Sequence, residues 1–288
     1  MPRIPKVPRY TLRSLTERTV GAARKALKRA RRMASIAKGR ARSAVSRLAE
    51  AALSDDRLRR RSFQKVYREG LWGREDSSKF FSGDGSRGAA AAFYIEHMAG
   101  LLAKHAEELG RPLTIVDIGC GDFQVARNLL QKLPDFNYVG CDIVPEVIAH
   151  HAATYSSNRI RFQTLDAVRD RLPQGDVCLI RQVLQHLPNA DILKITHRLS
   201  YPIVYVTEGQ PLERTGPVNP DKPVGVDIRF DWRKGHGRGV ELAEPPFNLD
   251  ATEVFRVLSD PPEVIVTERI RLPKMLEYAA ASIPVENR

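Results

Sequence analysis

Cysteine is scarce in this chain: Cys120, Cys141 and Cys178 are the only three in 288 residues. An odd number without CxxC or Cys/His ligand spacing excludes a disulfide framework and a structural zinc site, and it points to a reducing compartment. Long apolar runs are lacking too. The most apolar stretch, residues 89–103, is broken by Glu96 and His97 and is too short to cross a bilayer. No apolar run of signal-peptide type stands near the N-terminus, so the expectation is a cytoplasmic protein. Acids are nearly absent from one end. Residues 1–61 carry 19 basic and 4 acidic side chains, a net of +15, whereas the other 227 residues carry 27 and 30, a net of −3. The overall charge of +12 is therefore a property of a basic arm (1–61), and the body (62–288) is slightly acidic.

Within the arm, Pro2, Pro5 and Pro8 favour extended chain. Residues 12–53 hold no proline, and Val20, Leu27, Ala30, Ala34, Ala37, Ala41, Val45, Leu48 and Ala52 recur at three- and four-residue steps among arginines and lysines. This pattern is a basic amphipathic helix suited to an anionic membrane surface, a nucleic acid or a polyanionic glycan. A solvated, partly disordered tail is the alternative, because alanine buries little area per residue. An Arg-rich, acid-poor N-terminus also fits an organellar transit peptide. With lipid as the partner, the arm places the protein peripherally at the inner membrane surface.

The body alternates strand and helix patterns. Residues 87–109 read as a helix closed by Gly110, followed by a strand at 113–118, a helix at 123–133 and a strand at 138–143. Next come a helix at 145–155, strands at 160–165 and 177–183, a helix at 190–199 and a strand at 203–207. A helix at 251–258 and a strand pair at 264–268 and 275–281 close the pattern. Such alternation implies βαβ units and a mostly parallel, helix-covered sheet. Between 208 and 249 lies a long insert of proline, glycine, charge and aromatics, of the kind that builds substrate specificity at the carboxyl end of a strand.

The most informative residues follow the first strand: Val116-Asp117-Ile118-Gly119-Cys120-Gly121-Asp122. Two glycines one residue apart permit a tight turn and a ligand against the main chain. Gln124 stands where a dinucleotide fingerprint has its third glycine, and the Asp122 carboxylate at the helix mouth repels a diphosphate. The second strand ends in Asp142-Ile143, placed to accept from ribose hydroxyls, and the third in Asp166-Ala167, placed to accept from an adenine amine. An acidic glycine turn with two further acid-ended strands describes a site for a cationic nucleoside without phosphates.

On these residues the chain resembles the class I S-adenosylmethionine-dependent methyltransferases from Phe63 onward. The resemblance implies a doubly wound α/β fold: a mostly parallel, seven-stranded Rossmann-like sheet, helices on both faces and an antiparallel C-terminal strand. It implies S-adenosylmethionine as cofactor, with Asp117, Gly119 and Gly121 at the methionine end. Asp142 then holds the ribose, Asp166 and Ala167 edge the adenine, and Cys120, Asp122, Ile143 and Arg181 belong to the same site.

After strand four comes Arg181-Gln182-Val183-Leu184-Gln185-His186. In the resembling enzymes this loop faces the methyl group, so His186 is a candidate general base, with packing under the next helix as the alternative. Relatives carry Arg-Asp where this chain has Arg181-Gln182; a glutamine orients but takes no proton. Leu71-Trp72-Gly73 and Ser82-Gly83-Asp84-Gly85-Ser86 resemble the N-terminal segment of a subgroup associated with bacterial glycan and capsule loci, in which a Ser-Gly-x-Gly turn folds over the cofactor. Trp72 and Gln182, with Asp227, Asp231, Trp232 and Arg233 of the insert, supply carboxylates, a donor fork and indole faces for a hydroxyl-rich or planar acceptor. The expected activity is methyl transfer to a small-molecule or glycan acceptor, at a hydroxyl oxygen, without a metal. The alternatives are an RNA-binding or RNA-modifying methyltransferase that uses the arm, and a membrane-associated scaffold without activity.

Overall fold

A computed structural model describes residues 55–75, 78–231, 235–259 and 263–272. The arm helix expected at 12–53 and the strand expected at 275–281 lie outside these residues. The first described element, α1 (Asp55–Glu69), runs through the boundary expected at residue 61. The chain divides between Ser54 and Asp55 instead. The reason is Arg59, which a charge count assigns to the arm. Its guanidinium is buried in the body, bonded to Asp166 at 2.8 Å and Asp191 at 3.1 Å.

Beyond α1 the order is α2 (Gly88–Leu109), β1 (Leu113–Ile118), α3 (Gln124–Leu130), β2 (Phe136–Asp142), α4 (Pro145–Tyr155) and β3 (Ile160–Thr164). Then follow β4 (Val177–Arg181), α5 (Asn189–Thr196), β5 (Ile203–Pro211), the short pair β6 (Glu213–Arg214) and β7 (His236–Gly237), β8 (Asp250–Ser259) and β9 (Glu263–Arg271). Gly110 ends α2 in the left-handed region, as its position after the apolar period requires.

One sheet has the order β3-β2-β1-β4-β5-β9-β8. Its first five strands are parallel; β9 runs antiparallel to β5, and β8 antiparallel to β9. This is the doubly wound, mostly parallel seven-stranded sheet that the resemblance implies. Successive residues of each strand face opposite layers. Ile115, Val177 and Leu179 join Tyr94, Met98 and Leu102 of α2 and Leu129 of α3, whereas Val116, Cys178 and Ile180 join Ile192 and Ile195 of α5. Burial on both faces explains why β1 and β4 read as unbroken apolar runs.

Two expectations fail. Residues 251–258, read as a helix, form the edge strand β8. A bulge between Glu253 and Phe255 leaves Val254 out of register and exposed, which breaks the alternation that marks a strand. The β-branched Thr252, Val254 and Val257 fit that edge better than a helix. The insert also begins later than 208, because β5 continues, buried throughout, to Pro211.

Removal of residues 1–54 should leave the body's urea unfolding midpoint unchanged within error. Arg59→Ala, which strands two buried carboxylates, should cost about 3–5 kcal/mol in the same measurement.

Candidate functional site

The sheet order reverses between β1 and β4, so the loops leaving these strands diverge and open a crevice at their carboxyl ends. A cavity of about 990 Å³ occupies it. Its floor is the β1–α3 loop, where Gly119 (φ 79°), Gly121 (φ 55°) and Phe123 (φ 63°) all take left-handed backbone. The Gly119 and Cys120 amides both donate to the Cys141 carbonyl, at 2.8 and 2.9 Å, which ties this loop to the end of β2. A Cβ on Gly119 would stand 2.3 Å from Val183 Cγ2, and one on Gly121 would stand 2.4 Å from Ser82 Oγ. Only glycine fits either position.

The acids around this floor are held differently. Asp142 accepts from the Gly121 amide at 3.2 Å and the Val144 amide at 2.9 Å. Burial pushes it up to about 6, against the lowering effect of those amides. Asp117 accepts from the Tyr138 hydroxyl at 2.7 Å. Burial raises it also to about 6, opposed by that hydrogen bond and by Arg181. Asp122 is a clip: it accepts from the Ser82 amide at 3.0 Å, pairs with Arg87 at 3.0 Å, and its own amide donates to Ser82 Oγ at 2.8 Å. It thereby draws Ser82, Gly83, Asp84, Gly85 and Ser86 over the cavity. Asp166 lines the cavity, but both its oxygens are engaged, by Arg59 and by the Val168 amide at 3.0 Å.

Arg181, at the end of β4, lies over the Tyr94 ring at 5.0 Å and donates to the Gly85 carbonyl at 2.5 Å. Its Nε is buried without a partner. Gly119, Cys120, Gly121, Ile143 and Ala167 complete the wall, so the ten residues expected at the cofactor line one cavity. The cavity also holds Trp72, Gln182, His186, Asp227 and Asp231 of the expected acceptor set. Trp232 and Arg233 lie outside the described residues. A side-chain-free turn, two buried acids and an orphaned guanidinium donor fit a ligand with a cationic centre, hydroxyls and a carboxylate, as S-adenosylmethionine has.

His186 is buried with its ring 5.1 Å from Trp72 and 6.4 Å from Phe63, and its Nδ1 has no partner. Burial and then the charge of Lys222 lower it to about 4, which leaves it neutral at pH 7 and a weak base. Its loop hangs on Glu208 of β5, which accepts from the amides of Val183, Leu184 and Gln185 at 3.1, 2.8 and 3.1 Å. Among the described residues no cluster of three His, Cys, Asp or Glu groups could hold a metal.

Among the polar cavity residues that sequence reasoning did not assign to the site are Arg59 and Tyr67 on α1, Tyr94 on α2, Ser259 on β8 and Glu263 on β9. The first two had a signal. Arg59, Phe63 and Tyr67 recur every four residues and all face the cavity.

A family model described as a methyltransferase domain matches residues 116–200. No curated protein matches the chain. Among solved structures, human N-acetylserotonin methyltransferase in complex with SAM aligns with TM-score 0.39 and 15% identity over 70% of this chain. The chain spans 61% of that enzyme's length. Magnesium protoporphyrin IX methyltransferase from Synechocystis PCC 6803, with bound SAM, aligns with TM-score 0.47 and 16% identity over 77% of this chain and 99% of its own. The N-methyltransferase NodS from Bradyrhizobium japonicum WM9, with S-adenosyl-L-homocysteine, aligns with TM-score 0.46 and 16% identity over 74% and 98%.

Gly121→Ala should weaken S-adenosylhomocysteine binding more than tenfold by calorimetry, with the far-UV circular dichroism of the parent chain. The match over residues 116–200 spans the glycine turn, Asp142, Asp166 and the post-β4 loop, so the segment that builds most of this cavity is similar to a methyltransferase domain.

Proposed function

We propose that the chain transfers the methyl group of S-adenosylmethionine to a small-molecule or glycan acceptor, at a hydroxyl oxygen. One observation carries the reading: the residues suited to the cofactor and those suited to a hydroxyl-rich acceptor share one cavity. S-adenosylmethionine supplies an electrophilic methyl on a cationic sulfur, so the chain's task is chiefly to align donor and acceptor. Asp142 is placed to accept from the ribose hydroxyls, and Asp117 to receive the amino-acid ammonium. Arg181 offers its free Nε to the carboxylate. Asp166, neutralised by Arg59, edges the adenine with Ala167. The segment 82–86, clipped by Asp122, keeps water from the reacting atoms, and Trp72, Gln182, Asp227 and Asp231 orient the acceptor.

Titration calorimetry with S-adenosylmethionine and S-adenosylhomocysteine tests the cofactor, and a labelled-methyl screen over sugars and small phenols tests the acceptor. Absence of heat with both cofactors overturns the reading. Because Asp117 and Asp142 take up protons near pH 6, affinity should be flat above that pH and fall as the pH drops below it. Asp142→Ala should remove most of the affinity and flatten this dependence.

A second reading concerns placement. The outer face of α1 presents Arg57, Arg61 and Lys65, exposed and without a partner among the described residues, directly after the basic arm. We infer peripheral attachment to an anionic membrane of an otherwise cytoplasmic enzyme, since a net −3 body suits a flat surface better than a polyanion that wraps it. The intact chain should sediment with phosphatidylserine vesicles and lose that binding on removal of residues 1–54. Tighter binding to RNA than to vesicles would overturn this placement.

A further inference from the structure

The cavity wall contains a carboxylate that no part of the function above uses. Glu263 opens β9, opposite Pro211 of β5 and Ser259 of β8, and lines the cavity with Ser259. The described structure gives its oxygens no hydrogen bond and no ion pair, in contrast to Asp117, Asp122, Asp142, Asp166 and Glu208. The backbone has made room for it. Gly209 lies beside it on β5, and a Cβ there would stand 2.5 Å from Glu263 Oε1. Glu263 is half-buried on the cavity wall, and a carboxylate held there without a protein partner is available to a proton or a ligand.

We propose that Glu263 faces the transferred methyl and receives the proton of the acceptor hydroxyl. The inference rests on the methyltransferase reading above and deepens it. In the step, the acceptor oxygen bonds to the methyl carbon while the methyl–sulfur bond breaks. That bonding pair stays on sulfur, and the O–H proton passes to the Glu263 carboxylate. Burial holds this carboxyl at about 7, opposed by Arg181, which suits a base working near neutral pH. His186, at about 4, is the weaker base. The other charged and titratable groups set around this part of the wall are Arg181 on β4, His186 after it, Glu208 on β5, and Asp227 and Asp231 in the insert. Of these, Arg181 is the one whose charge acts on Glu263.

The test uses the full chain labelled with carboxyl-13C glutamate, with the Glu263 resonance assigned by its loss in Glu263→Gln. Its titration is followed in complexes with S-adenosylmethionine and with S-adenosylhomocysteine, which differ by the methyl and its positive charge. The expected result is a midpoint lower by about one to two pH units in the S-adenosylmethionine complex, as a unit charge within about 6 Å implies. In Gly209→Ala, which displaces the carboxylate, that difference should shrink while S-adenosylhomocysteine affinity stays within twofold. Coincident midpoints in the two parent complexes overturn the assignment of Glu263 alone. A chain that binds neither compound overturns the cofactor reading, and this inference with it.

Discussion

Everything at this site depends on a main chain that has no side chain where it turns. After β1 the backbone enters the left-handed region at Gly119 and again at Gly121, and both amide-lined bends sit against other parts of the molecule. Val183 of the post-β4 loop fills the space over Gly119, and Ser82 of the covering segment fills the space over Gly121. The turn is thus the point at which the cavity floor, the post-β4 loop and the segment 82–86 meet. With the Gly119 and Cys120 amides on the Cys141 carbonyl, the floor is also fixed to the end of β2, where Asp142 stands. Relative placement of Asp142, the post-β4 loop and the segment 82–86 follows from one local conformation.

Helix α1 has its own electrostatic anchor. Arg59 enters from α1 and holds Asp166 and Asp191 in one buried cluster. Two carboxylates so little exposed to water are tolerable only with a cation between them, and a bidentate guanidinium serves both. The same helix turns Phe63 and Tyr67 to the cavity, and Tyr67 reaches Ser82 at 3.1 Å. Helix α1 is consequently part of the site's wall, whatever the arm before it does.

Much of this was legible in the sequence because the signals were local. Two glycines after an apolar run, and acids ending the next two strands, are consequences of backbone geometry within a few residues, and all ten expected cofactor residues line the cavity. What escaped depended on distant partners. The charge of Arg59 matched the arm in composition, and only its pairing with residues more than a hundred positions away reveals its place. The strand at 250–259 was hidden by its bulge, which offsets the apolar alternation by one residue at Val254. Glu263 carried no local signal, since its surroundings, Gly209 two residues along β5 from its pair partner Pro211 and the cavity beyond, are set by strand pairing.

Glu208 and Glu263 show why the protonation of a buried acid does not by itself disclose its role. Burial raises both to about 7. Glu208 gives its lone pairs to three successive amides, so its charge is spent on holding the post-β4 loop in shape. Glu263, on the adjacent strand, is raised by burial too but has no such bonds among the described residues, and it lines the cavity. The difference lies in the partners. An acid whose lone pairs are filled by the fold is part of the scaffold. One left without a partner in the described structure, beside Gly209 and on the cavity wall, has lone pairs that the fold does not fill.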